Sequence, residues 1–289
     1  MIVHCETVNE VDDKHIQEKF MKTRQFGSTQ ENISEVGLGT WQFGGDWGEL
    51  EDETAMSIMQ TAAEREVTFF DTANVYGSGR SEELIGEFIK KSRDNLFIAT
   101  KLGRLRGFPD DYSLDLFKQS TKESLARLGV DRLDLTQLHC IPRHHLQEGK
   151  VFDWLRRLKE EGLIRYFGAS VETVEEGLIC LEQDDLTSLQ VIFNIFRQKP
   201  VDELFKKAKE KNVALIIRLP LASGLLAGKF TRDSTFSPQD HRSFNRNGEM
   251  FNVGETFARL PFEKGVELSD QLKQYVPQEQ LSYEPVSFY

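Results

Sequence analysis

Residues 113–139 read SLDLFKQSTKESLARLGVDRLDLTQLH and indicate a helix, a turn and a strand in direct succession. Apolar side chains recur at steps of three and four from Leu114 to Leu128, which puts them on one face of a helix. Residues 133–138 then form a short run with strand character, and the polar residue His139 follows. This order is typical of a helix-to-strand unit of a parallel sheet.

The same alternation of short strands and amphipathic helices runs through most of the chain. Strands are predicted over residues 36–40, 68–71, 96–101, 133–138, 166–170, 189–193 and 214–218. Helices are predicted over residues 53–65, 81–90, 113–128, 151–161, 174–182, 202–211 and 262–275. The connection from one strand through a helix to the next parallel strand is right-handed. Repeated without reversal, this connection curls the sheet into an α/β fold of the TIM-type (β/α) barrel class. A doubly wound open sheet is the alternative.

Three parts of the chain are distinguished by this pattern. Residues 1–20 form an N-terminal extension that is predicted to be mobile, and residues 21–276 form the barrel domain. Within that domain, residues 21–34 are predicted to form a hairpin that plugs the barrel floor, because Gly27 lies in a turn signal. Residues 277–289 form a C-terminal tail too short for another strand and helix, so the eighth βα unit is expected to be missing or incomplete.

Composition narrows the class of protein. The 289-residue chain is 39% hydrophobic and 29% charged, as is typical of a folded globular protein, and its net charge of -11 disfavours a nucleic-acid partner. No stretch approaches the roughly 18 apolar residues of a membrane span, and the N-terminal residues lack the regions of a signal peptide. Cys5, Cys140 and Cys180 are widely spaced and odd in number, which indicates a reducing compartment. A cytoplasmic protein without membrane contact is expected.

Polar residues of four kinds follow or end three successive predicted strands: Asp71, Tyr76, Lys101 and His139. Because α/β barrels carry reactive groups at the carboxyl ends of their strands, we expect these side chains to meet. A carbonyl reductase needs a proton donor, and a free tyrosine, with a pKa of about 10, needs a neighbouring cation to serve well. Lys101 would supply the cation and Asp71 would orient it. His139 would hydrogen-bond the carbonyl oxygen.

Two longer motifs surround these four residues, DTANVYGSGRSEELIG at residues 71–86 and LARLGVDRLDLTQLH at residues 125–139. Both closely resemble signatures of the aldo-keto reductase family. The resemblance extends over about residues 21–278. It implies a catalytic tetrad, with Tyr76 as general acid, made of Asp71, Tyr76, Lys101 and His139.

The resemblance also implies a nicotinamide cofactor, NADPH, with NADH as the alternative. Ser170 and Gln190 would hold the nicotinamide carboxamide, and Thr40 and Trp41 would border the ring and the substrate. Arg218 would stack on the nicotinamide in place of the tyrosine that many family members carry. The residues expected along the pyrophosphate and ribose are Leu221, Ser223, Leu225 and Lys229.

We therefore expect an NAD(P)H-dependent oxidoreductase that reduces an aldehyde or ketone to an alcohol, with a small carbonyl compound as its partner. The alternative is a truncated homologue that is non-catalytic or binds the cofactor weakly, because the family's basic motif for the adenosine phosphate would follow an eighth strand. A Schiff-base aldolase that uses Lys101 is a more distant alternative.

Two other segments contain residue types that could form a site. His139, Cys140, His144 and His145 include metal-ligand types, but adjacent residues at a strand end alternate sides, so no metal site is predicted. Residues 231–254 form a polar stretch, which is expected to be a solvated loop rather than a lid over the cofactor.

Overall fold

A computed structural model describes residues 21–92 and 95–275 of the chain, and a seven-stranded parallel sheet forms its centre. An antiparallel pair precedes the sheet, β1 Thr23–Gln25 and β2 Asn32–Ser34. The sheet contains β3 Gly37–Gly39, β4 Phe69–Asp71, β5 Phe97–Leu102, β6 Leu133–His139, β7 Ile164–Ser170, β8 Ser188–Ile192 and β9 Ala214–Arg218. The seven strands lie side by side in chain order. A doubly wound sheet would reverse this order, so the barrel class is confirmed.

Helices connect these strands close to the predicted positions. They are α1 Asp52–Glu64, α2 Arg80–Lys91, α3 Leu114–Leu128, α4 Arg143–Glu148, α5 Lys150–Glu160, α6 Val174–Leu181, α7 Leu204–Glu210, α8 His241–Phe244 and α9 Phe262–Leu272. Helix α3 begins where the Ser113 hydroxyl accepts a hydrogen bond from the Leu116 amide. It ends at Gly129, whose φ of 68° is the left-handed conformation that terminates many helices. The short helices α4 and α8 were not predicted.

The β1–β2 hairpin closes the amino end of the sheet. Phe26 at its turn is 3% exposed, and its ring centroid lies 6.0 Å from that of Phe69 and 5.2 Å from that of Phe97. Gly27 has a φ of +56°, and a Cβ there would lie 2.8 Å from the Ala214 amide nitrogen. Only glycine fits this close approach. The buried Phe26 and this close approach together confirm the predicted hairpin plug.

The register of the sheet brings polar side chains to one face at the opposite end. The paired residues are Asp71 with Ala99, Lys101 with Gln137, His139 with Ser170, and Ser170 with Gln190. Cross-strand partners share a face, and so do residues two apart on one strand. The chain of pairs therefore aligns five predicted site residues on one face at the carboxyl ends of the strands.

The chain after β9 packs over this end, and the solvated loop predicted at residues 231–254 is found only in part: no residue from 231 to 239 is buried, whereas the later part contains buried polar side chains. Asp240, His241 and Asn245 in that stretch are buried. The Asn245 side chain accepts hydrogen bonds from the amides of Met250 and Phe251 and donates one to Thr256. Polar side chains here bond the backbone in place of regular backbone pairing, and this is why buried positions occur in a polar stretch.

Among the described residues, β3 pairs only with β4 and β9 only with β8. Predictions for residues 1–20 and 277–289, and the boundary at residue 276, lie outside the described residues. Across residues 21–92 and 95–275, no helix has both the length and the apolar character that crossing a bilayer requires.

Candidate active site

Asp71, Lys101 and Tyr76 form a continuous polar contact at the carboxyl ends of β4 and β5. The Lys101 ammonium lies 2.6 Å from Asp71 Oδ2 and 3.3 Å from the Tyr76 hydroxyl. It also donates to the carbonyl oxygen of Thr72 at 2.7 Å. The Lys101 side chain is 1% exposed, so these three oxygen atoms replace its water shell.

A tight loop after β4 presents Tyr76 to this lysine. Gly77 follows with a φ of +58°, and a Cβ on it would lie 2.8 Å from the Gly44 carbonyl oxygen. The two glycines let the Tyr76 loop pack directly on the turn that carries Trp41. The Trp41 ring stacks near the Tyr76 ring, with centroids 6.1 Å apart and an angle of 23°.

His139 completes the predicted group from the end of β6. Its ring meets the Tyr76 ring edge-on, with centroids 5.8 Å apart. Burial lowers the pKa of His139 well below its ordinary value, and the charges of Arg104, Lys101 and Arg218 lower it further. The imidazole is therefore neutral at pH 7, with a nitrogen-bound proton to donate.

Tyr76 and Lys101 are held in complementary protonation states. Burial raises the pKa of Tyr76, although Lys101 opposes this effect, so the phenol keeps its proton at neutral pH. Burial alone would lower the pKa of Lys101, but Asp71 and Tyr76 raise it above the ordinary value. The site thus combines a neutral proton donor, a permanent cation and a neutral imidazole.

Two glutamines hold Asp71 from the other side. The Gln190 side chain donates to Asp71 Oδ1 at 2.9 Å, and the Gln137 side chain donates to the same atom at 3.3 Å. Gln190 is a predicted cofactor residue that here orients the carboxylate. Gln137 was missed by sequence reasoning, although its position two residues before His139 puts it on the same face of β6.

The remaining residues predicted near the nicotinamide lie around this group. Ser170 is buried at the end of β7, and its hydroxyl lies 3.9 Å from the Cys140 sulfur. Thr40 is fully buried, and its hydroxyl donates to the Asp71 carbonyl oxygen and accepts from Ser81. Its side chain therefore supports the strand end that carries Asp71.

Three of the residues predicted for the cofactor, Arg218, Ser223 and Leu225, contact a later part of the chain. We call residues 252–259 the Glu255 segment. Arg218 pairs with the Glu255 carboxylate at 3.2 Å, and the Ser223 hydroxyl donates to the Glu255 carbonyl oxygen at 3.0 Å. Leu225 is buried in an apolar cluster with Phe257, whereas two predicted residues, Leu221 and Lys229, are exposed.

A charged network beside the tetrad was not predicted. Arg104, from the loop after β5, contacts both carboxylate oxygens of Glu255 at 3.3 Å and Glu172 at 3.4 Å. Arg104 and Glu255 are separated by 151 positions in the sequence. Neither residue belongs to a motif, so no local signal reveals the contact.

Metal-ligand residue types come together at two places among residues 21–92 and 95–275. One is Asp110 with His144 and His145, and the other is Cys140 with Glu172 and Glu255. His139 belongs to neither, although sequence reasoning considered it beside Cys140.

Sequential parallel strands with polar side chains at their carboxyl ends define the class of α/β-barrel enzymes. Residues 35–288 match the model of the aldo/keto reductase family, and the chain belongs to this family. It is similar to the uncharacterized oxidoreductase YqkF of Bacillus subtilis, with 33% identity over 72% of this chain and 68% of the relative. The NADH-specific methylglyoxal reductase of Escherichia coli is 28% identical over 74% of this chain and 71% of its own length.

A solved structure shows the same fold. The glycerol dehydrogenase AKR11B4 from Gluconobacter oxydans superposes with a TM-score of 0.71 and 27% identity. The match covers 90% of this chain and 79% of that one. The predicted family is therefore confirmed, and membership of this family implies an NAD(P)H-dependent oxidoreductase.

Proposed function

We propose that the protein reduces a small aldehyde or ketone to an alcohol with a hydride from NAD(P)H, and that Tyr76 donates the proton. One observation carries the proposal: a partly buried contact runs from Asp71 through the buried Lys101 to Tyr76, and His139 lies against the same tyrosine ring. A substrate carbonyl oxygen placed between Tyr76 and His139 would meet two proton-bearing groups.

Each residue has a distinct task in this proposal. The nicotinamide, when bound, supplies the hydride. Tyr76 gives its proton to the oxygen as negative charge develops there, and Lys101 stabilises the phenolate that remains. His139 is neutral and donates a hydrogen bond to the same oxygen. Asp71 keeps Lys101 charged and fixed in place, and Trp41 shields the tyrosine from one side.

The residues at the nicotinamide end are suited to that group. Ser170 and Gln190 are buried polar side chains at neighbouring strand ends, and Arg218 Nε has no hydrogen-bond partner among the described residues. We propose NADPH as the cofactor, because the sequence resemblance implies it. The E. coli relative is named as NADH-specific, so both forms should be assayed. Cys140 and Cys180 are free thiols, which supports the cytosol as the compartment.

A weakly cofactor-binding homologue is the second candidate, and one observation favours it. The Glu255 segment already occupies the polar groups of Arg218 and Ser223, which were predicted for the cofactor. Isothermal titration with NADPH and NADH separates the two candidates, because this candidate predicts no saturable binding in the micromolar range. A Schiff-base aldolase has less support, because a charged Lys101 paired with Asp71 is not nucleophilic.

The test of the proposal is nicotinamide oxidation with 4-nitrobenzaldehyde as substrate. The Tyr76→Phe variant should lose about a hundredfold or more in kcat/KM, as expected for removal of a general acid. Tyr166→Phe, which changes a tyrosine in the apolar cluster at the barrel floor, is the matched control and should retain activity. Equal turnover by the Tyr76→Phe and wild-type proteins would contradict the assigned role.

A further inference from the structure

Two arginines from separate elements converge on one carboxylate beside the tetrad. Arg104 comes from the loop after β5, Arg218 from the end of β9, and both lie within 3.3 Å of Glu255 Oε1. The arginine side chains are 17% exposed, whereas that of Glu255 is 2% exposed. Two guanidinium groups around one carboxylate form the donor arrangement by which proteins recognise carboxylates.

This arginine pair adjoins the place where the substrate carbonyl would lie. The Arg218 guanidinium lies 3.5 Å from the sulfur of Cys140, the residue after His139. It also lies 3.4 Å from the carbonyl oxygen of Val171, the residue after Ser170. The charges of both arginines act on the His139 ring, and that of Arg218 also acts on Tyr76. A carboxylate held by the pair would therefore belong to a molecule that reaches the tetrad.

The carboxylate now in this position belongs to a backbone segment with unusual conformation. Phe257, Ala258 and Arg259 begin two positions after Glu255 and have φ values of 51°, 55° and 71°. Three successive non-glycine residues in the left-handed region are unfavourable, and such backbone strain is common where a segment has to move. Glu255 is thus held by its arginines at the cost of local strain.

We propose that Arg104 and Arg218 form the recognition site for a carboxylate on the carbonyl substrate, and that Glu255 fills this site until the substrate displaces it. Without Glu255, the largely buried Arg218 would lose its carboxylate partner and Arg104 would keep only Glu172 at 3.4 Å, which gives Glu255 a reason to be there. The inference rests on the proposed reductase function and narrows the substrate class to oxo acids.

The first test compares acids with their uncharged esters. The pairs are pyruvate with methyl pyruvate, and succinic semialdehyde with methyl 4-oxobutanoate. The measured quantity is the ratio of kcat/KM for acid over ester. We expect a ratio well above one for at least one pair in the wild-type protein, and a fall of about tenfold or more in Arg104→Met. Arg106→Met, which changes an exposed arginine of the same loop, is the control and should keep the wild-type ratio.

Glu255→Gln gives a test in the opposite direction. It removes the competing charge and keeps the size of the side chain, so the acid-to-ester ratio should rise severalfold. A merely structural pairing would make both variants less stable and shift neither ratio. An unchanged ratio in both Arg104→Met and Glu255→Gln would overturn the proposal.

Direct binding separates this inference from the reductase function. Isothermal titration with sodium oxalate, without cofactor, should show saturable binding that is tighter in Glu255→Gln and weaker in Arg104→Met. If no aldehyde is reduced but oxalate follows this order, the reductase proposal fails and the carboxylate site stands. If Glu255→Gln tightens NADPH binding and leaves oxalate binding unchanged, the anion belongs to the cofactor and the inference is wrong.

Discussion

His241 should make the protein sensitive to mild acid, because its ring is buried among aromatic side chains. It is fully buried in helix α8, with its ring centroid 4.7 Å from that of Trp41 and 4.3 Å from that of Trp47. Within the described residues, neither ring nitrogen makes a hydrogen bond. Burial lowers the pKa of His241 to about 4, although the nearby Asp240 carboxylate opposes this effect.

The size and sign of the effect follow from proton linkage. The unfolded chain has the ordinary histidine pKa of about 6.5, so as the pH falls below that value the unfolded state binds a proton that the folded state does not. From pH 7 to pH 5 this single group should cost about 2 kcal/mol of folding free energy, at about 1.36 kcal/mol per pKa unit.

Urea unfolding at pH 7 and pH 5 tests this value in the wild-type protein and in His241→Phe. The phenylalanine keeps a ring between the two tryptophans and cannot bind a proton. Between pH 7 and pH 5, the free energy of unfolding should fall by about 2 kcal/mol more in the wild-type protein than in the variant. His139 also has a lowered pKa, but it is common to both proteins and cancels. Parallel losses in the two proteins would refute the reasoning.

Three further changes have defined outcomes. Lys101→Met removes the cation that lowers the pKa of Tyr76, and alcohol oxidation needs the phenolate form of that tyrosine. In a pH-rate profile, the rate of alcohol oxidation should fall at least about tenfold at pH 7 and rise only at more alkaline pH. Gly86→Ala places a Cβ 2.2 Å from the Arg127 carbonyl oxygen, so the free energy of unfolding, measured by thermal unfolding, should fall by about 3 kcal/mol. An unchanged unfolding midpoint would mean that α2 and α3 are not this close. Phe26→Ala removes the ring that fills the amino end of the barrel, so the free energy of unfolding in urea should fall by about 3 to 5 kcal/mol, with little effect on KM.

The fold could be predicted because its signals are local. Each strand of the sheet is a short apolar run followed by an amphipathic helix, and residues 113–139 contain such a succession. The gathering of Asp71, Lys101 and His139 was also predictable, because parallel strands align their carboxyl ends at one edge. Their positions on one face follow from the register, which the sequence alone does not specify.

The parts of the site that escaped prediction depend on contacts between distant segments. Arg104 and Glu255 meet across 151 positions, and nothing near either residue marks it as buried. Helix α8 was missed because Asp240 and Asn245 make a polar stretch look solvated, whereas their side chains cap and pair the backbone. The identity of the substrate depends on such contacts and not on the barrel itself.

The aromatic packing around Trp41 also supplies an intrinsic optical reporter. The sequence contains three tryptophans; Trp154 packs on Phe117 beneath helix α3, and the other two surround His241 beside Tyr76. The fluorescence emission of Trp41 and Trp47 should change whenever the segment that carries His241 shifts over the site. Opening of this end of the barrel can therefore be followed in stopped-flow fluorescence without a label, on the timescale of a single turnover.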